Sequence, residues 1–215
     1  MKLTRTVIIL PAVLWLLSIM GCTTPTAIPI SKDRIASIKS ITINQNVPKP
    51  KVILFRGALQ NWSVLLGPIG AAATAGAGLD AGAQMVDFMG KNQIDISEIV
   101  LTEFENEIKD KPFPIVAGTN KSDAEFKLRV DMYGFNKTHP LGSNMNPLIR
   151  VTGSLVSASG DVLWQESEYV TDFASDNDQG QSLETYYKEP EKLKRALQCA
   201  AKVAVSRIMG TLNKI

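Results

Sequence analysis

The chain is 215 residues long, 45% hydrophobic and 20% charged, with 23 basic against 21 acidic residues. A balance so close to neutral excludes a general electrostatic grip on nucleic acid, which needs clustered Lys and Arg to neutralise phosphate. The lone histidine, His139, and the two cysteines, Cys22 and Cys199, are too few to supply a zinc site or Ser-His or Cys-His catalysis, so no metal and no cofactor is expected.

At the N-terminus, Lys2 and Arg5 precede an uncharged stretch from Thr6 to Ile19 that lacks a polar stripe, the layout of an export signal. Its apolar part, Val7 to Ile19, is 13 residues long. A bilayer span needs ~20. The run closes on Ile19-Met20-Gly21-Cys22, which resembles the lipobox of bacterial lipoproteins, with an aliphatic residue three before the cysteine and a small one just before it. Met20 is bulkier than that pattern usually holds. The resemblance implies cleavage between Gly21 and Cys22 and a lipid, palmitate among its acyl chains, carried through Cys22. Two or more acyl chains give stable membrane attachment where one gives marginal binding. Thr23 stands where an inner-membrane retention signal would have Asp, which implies a lipid-anchored protein at the outer membrane, facing the periplasm.

Loss of residues 1 to 21 leaves a mature chain of 194 residues with 21 basic and 21 acidic side chains, formally neutral and long enough for one well-buried domain. Residues 22 to 34, opening "CTTPTAIPISKD", are rich in Thr and Pro and predict a tether, and residues 35 to 215 predict a single domain. Within it, "IASIKSITI" (35 to 43) and "KVILFR" (51 to 56) predict strands from their β-branched and aliphatic content.

An insertion follows at about residues 62 to 90, "WSVLLGPIGAAATAGAGLDAGAQMVDFMG", with 18 uncharged residues from Trp62 to Leu79. Three readings stay open. Its glycines favour a surface loop, since each costs a helix ~1 kcal/mol against Ala. Ala73, Ala77 and Ala81, with Gly78 and Gly82, recur at four-residue spacing and would let two backbones approach, making an interaction segment for an envelope partner or another copy. Insertion into lipid is the third, although Pro68, Asp80 and Asp87 interrupt the run and no alternation of a barrel strand is present. Gly76, Gly78 and Gly82 miss the dinucleotide spacing by one residue, and no P-loop Lys follows.

"DISEIVLTEFENEIKD" predicts a helix: Asp95 and Glu98 have the spacing of a capping box, and Ile99, Leu101, Phe104 and Ile108 form an apolar stripe. "PFPIVAG" (112 to 118) predicts a strand. "AEFKLRVDMYGF" alternates, which places Phe126, Leu128, Val130 and Met132 on one face and Lys127, Arg129, Asp131 and Tyr133 on the other. "PLIRVTGSLVSASGDVLWQESEYV" predicts a hairpin turning at Ser159-Gly160-Asp161, with its second strand near an edge. "DFASDNDQGQSLE" lacks an acid at the first calcium-loop position, Ala174, and predicts a solvated acidic loop. After Pro190, Leu193, Leu197, Ala200, Ala204, Ile208 and Leu212 predict a long amphipathic helix, with Lys192, Lys194, Lys202 and Arg207 toward water and Cys199 on or beside the packed face.

Strands joining a mostly antiparallel sheet with helices on one face define an α+β two-layer sandwich. Over residues 94 to 170, the succession of helix, "FPIVAG", "SDAEFKLRVDMYGF" and a Gly-Asp turn before "VLW" resembles the core of envelope lipoproteins of the curli-secretion, penicillin-binding-protein-activator and transport-auxiliary types. That resemblance implies a binding or assembly role at the envelope, with an oligomeric membrane-inserting secretion component as its variant. The rival is a hydrolase working through carboxylates such as Glu103, Glu105 or Asp131, which requires two of them to converge in a pocket.

Overall fold

The computed structural model describes residues 27–29, 33, 37–56, 81–109, 111, 113–116, 122–137, 142–171, 174, 177 and 180–212. The residues expected to form an export signal and lipobox, and the uncharged part of the expected insertion, lie outside them. Among the described residues, six strands and four helices form an α+β domain. The strands are β1 (Ile41–Ile43), β2 (Leu54–Arg56), β3 (Ala124–Lys137), β4 (Asn144–Ser157), β5 (Val162–Val170) and β6 (Gln181–Ser182). The helices are α1 (Ala81–Lys91), α2 (Ile96–Ile108), α3 (Leu183–Lys188) and α4 (Pro190–Leu212).

β3 and β4 are the long central strands, antiparallel to each other, and β4 pairs antiparallel with β5. β1 and β2 lie parallel to β3 at its two ends, pairing with Ala124 to Phe126 and with Gly134 to Asn136. They therefore act as two pieces of one edge. β6 pairs with Asn144 and Met145 of β4, beyond the end of β5. The parallel pairing follows from connectivity, because α1 and α2 carry the chain back before β3 begins.

Each of two helices starts where the sequence supplies a cap. The Asp95 carboxylate accepts the backbone N–H of Ser97 at 2.7 Å and the Lys49 ammonium at 2.6 Å, and Ser182 caps α3 by accepting from Thr185 N–H. Burial would raise the Asp95 pKa, but those donors overrule it and hold it below the ordinary carboxylate value. α4 buries all six of the apolar positions read from its spacing. Of its basic side chains, Lys202 and Arg207 are exposed and Lys192 and Lys194 half-buried.

The core lies between the helices and one face of the sheet. Phe126 stands edge-on to Phe104 of α2 (5.4 Å) and to Trp164 of β5 (6.2 Å), and Phe135 meets Tyr186 of α3 (5.6 Å). Gly153 is where the indole fits: a Cβ there would lie 3.1 Å from the Trp164 ring and 3.2 Å from Ile208 of α4.

Five expectations differ from what the described residues form. The described part of "PFPIVAG", residues 113–116, forms a single bridge, Ile115 beside Ile41, where Pro114 has no N–H to offer a ladder. The strand expected from residue 35 begins at Ile41, and the one from 51 at Leu54. The end of the insertion is the helix α1, whose Met85 and Met89 are buried in the core. Within the loop expected to be solvated, Asn177 is 0% exposed and donates to the carbonyls of Pro147 (2.8 Å) and Thr171 (3.1 Å), while Asp172, Asp176 and Asp178 lie outside the described residues.

Tyr186 gives the fold a pH limit. Its hydroxyl donates to the Met145 carbonyl (3.1 Å) and accepts from Gln181 N–H (3.2 Å), and burial pushes its pKa up to about 12. A raised pKa contributes stability that is complete below the unfolded value of 10.0 and lost as pH rises toward about 12. Denaturant midpoints followed across that range should fall for the wild type and fall less steeply for Tyr186→Phe.

Candidate functional site

The sheet face away from the helices is largely polar among the described residues, and its make-up depends on one irregularity. Between Val130 and Met132 the β3–β4 register shifts by a residue. Strict alternation holds up to Val130, so Phe126, Leu128 and Val130 are buried on the helix side. Past the bulge the parity reverses: Tyr133 and Phe135 turn inward, 4% and 0% exposed, and Met132 turns outward. Tyr133 therefore does not share a face with Lys127 and Arg129, as alternation alone predicts.

What the outer face carries is built by cross-strand pairing. Arg129 pairs with Asp131 across the bulge, and Asp131 also accepts from the Thr152 hydroxyl, which lies 3.1 Å from the Ser167 hydroxyl on β5. Further along, Arg150 is directly opposite Tyr169, its guanidinium 5.0 Å from the ring centroid. Arg56 of β2 approaches the same ring at 5.8 Å and donates from Nη1 to the tyrosine hydroxyl at 2.9 Å. Tyr169 thus has a guanidinium from each of two strands. Neither Arg56 nor Arg150 forms an ion pair among the described residues.

The edge next to this cluster is not bare. Ile28 exchanges both backbone hydrogen bonds with Gln165 of β5, at 2.9 and 3.0 Å, in an antiparallel bridge. Residue 28 lies within the stretch expected as tether, so chain and sheet meet six positions after Cys22.

The carboxylates proposed for hydrolysis are dispersed. Asp131 is on the outer sheet face. Glu103 is on α2 beside Lys202 of α4, its pKa raised by burial against the pull of that lysine. Glu105 lines an open groove of 1370 Å³ along the β1 edge, where the Gln45 amide donates to it at 3.1 Å. A fourth acid, Glu168, lies on the helix side of β5 with its pKa raised by burial, opposed by Arg207 and reinforced by Glu166. These groups occupy separate places, and no pair shares a reacting position among the described residues.

Of the residues marked for interaction, Ala73, Ala77 and Gly78 lie outside the described residues, as do Gly21 and Cys22. Ala81 opens α1, and Gly82 is buried within it. Cys199 is half-buried on α4. Among the described residues no helix is long and apolar enough to cross a membrane, and no His, Cys, Asp or Glu group is arranged to hold a metal ion.

No family model matches the chain, and no curated protein matches it in sequence. Among solved structures it is similar to a dodecamer of a PelC point variant from Paraburkholderia phytofirmans, at 12% identity and TM-score 0.35, over 88% of this chain and 92% of that one. It is similar also to protein XCC0632 from Xanthomonas campestris, of the DUF330 family model, at 14% identity and TM-score 0.42, over 88% and 95%. Lipoprotein GNA1162 from Neisseria meningitidis matches at 17% identity and TM-score 0.26, over 82% and 99%. Likenesses this distant assign no function.

Proposed function

We propose that the chain is a lipid-anchored protein of the bacterial envelope, held at the outer membrane through Cys22 and facing the periplasm, that works by binding and not by chemistry. In this reading it is an assembly or transport-accessory factor that meets an envelope protein or a second copy of itself, and it binds no nucleic acid. The observation that carries the reading is the sequence Ile19-Met20-Gly21-Cys22 closing an uncharged export run. Support for a non-catalytic role comes from the dispersal of Glu103, Glu105 and Asp131 to three separate places, each beside a different partner.

Growth of cells with labelled palmitate tests the anchor. The wild-type chain should take up label and Cys22→Ala should take up none. Label retained on the variant would remove Cys22 as the attachment point.

A further inference from the structure

Building on the lipid anchor, we propose that the Arg56–Tyr169–Arg150 end of the outer sheet face rests on the bilayer, where its two guanidiniums hold the phosphates of anionic lipid headgroups. The leash is short. Ile28 is six positions after Cys22, and even fully extended that span reaches at most about 20 Å. β5 therefore stays near the membrane whatever path those residues take.

The leash also has a direction. Because Ile28 pairs antiparallel with Gln165, the chain runs back toward its N-terminus along β5 in the direction of Tyr169 and Val170. At about 3.3 Å per residue, Tyr169 lies roughly 13 Å beyond Gln165, within the reach of the leash. At Ile28 the chain, followed toward its N-terminus, is thus headed to the same end of the sheet as the arginine pair.

The chemistry there fits an anionic surface. Neither guanidinium has a carboxylate partner among the described residues; Arg56 spends one N–H on the Tyr169 hydroxyl and one on the Met132 sulfur, and its remaining N–H groups, with those of Arg150, can donate to phosphate oxygens. Tyr169 between them is half-buried, an amphipathic ring of the kind that sits at headgroup level. At the far end of the same face the cations are paired with acids, Lys127 with Glu125 and Arg129 with Asp131. The guanidiniums without an acid partner therefore stand at the end toward which the chain is headed at Ile28.

The test uses the purified, lipidated chain in vesicles of phosphatidylcholine, with or without phosphatidylglycerol, and a nitroxide quencher on the lipid headgroup. A fluorescent residue is placed at Asn136, in register with Arg56, or at exposed Lys202 on α4. With phosphatidylglycerol present, quenching at 136 should exceed that at 202 severalfold. The excess should vanish in phosphatidylcholine alone and in Arg56→Gln/Arg150→Gln. Equal quenching at the two positions, or an excess at 136 that persists in phosphatidylcholine, would overturn the proposal. The phosphatidylcholine arm reads the unaltered chain and so does not depend on the variant folding. Failure of the anchor shows separately, as a chain that does not float with phosphatidylcholine vesicles.

Discussion

Trp164→Ala is expected to destabilise the domain by about 3–5 kcal/mol. The indole is 1% exposed, lies beside Leu155 on β4 and stands edge-on to Phe126. Gly153 leaves the space beneath α4 that the ring fills, so truncation opens a cavity that sheet and helix border together. Neither wall is free to close it: β4 is hydrogen-bonded on both sides, and α4 is fixed along its length by Leu193, Leu197, Ala200, Ala204 and Ile208. Total stability of a domain is about 5–15 kcal/mol, so the loss approaches unfolding at growth temperature. Urea unfolding followed by far-UV circular dichroism measures it, and a midpoint within error of the wild type would mean that the ring is not the core's main wedge.

Gly134→Ala should be nearly as severe for a different reason. A Cβ at residue 134 would lie 1.8 Å from the Leu54 carbonyl oxygen and 2.8 Å from the Leu54 nitrogen. Those are backbone atoms of β2, which no rotamer change moves aside. β2 has to leave β3, taking Phe55 off Phe135 and Arg56 away from Tyr169. Overpacking costs typically ~1–3 kcal/mol and more when backbone must shift. Amide exchange resolved along the chain should show Leu54 to Arg56 losing protection in this variant while the β4–β5 pairing keeps its own. Unchanged protection at β2 would show that the strand tolerates the methyl.

The two long helices were legible because their apolar residues repeat at a helical period and a cap or proline marks each start. β3 was legible only to Val130. Its bulge moves the apolar residues from even positions (Phe126, Leu128, Val130) to odd ones (Tyr133, Phe135), a change of parity that the sequence displays and simple alternation overlooks. α1 was hidden by its composition: Met85 and Met89 sit one helical turn apart but follow directly on a Gly/Ala run that favours loops. The arginine pair had no local signal, since Arg56 and Tyr169 are 113 positions apart and meet only after β2, β3, β4 and β5 align. The same holds for the Ile28 bridge, which a Thr/Pro-rich stretch gives no reason to expect.

The lipid attachment proposed at Cys22 would place this domain at a membrane surface, and a mass measurement of the N-terminal proteolytic peptide from the protein extracted out of cell membranes tests it most directly. The account predicts a peptide that begins at Cys22 and carries the added mass of a diacylglyceryl group. A peptide that retains residues 1 to 21, or that carries an unmodified Cys22, would contradict it.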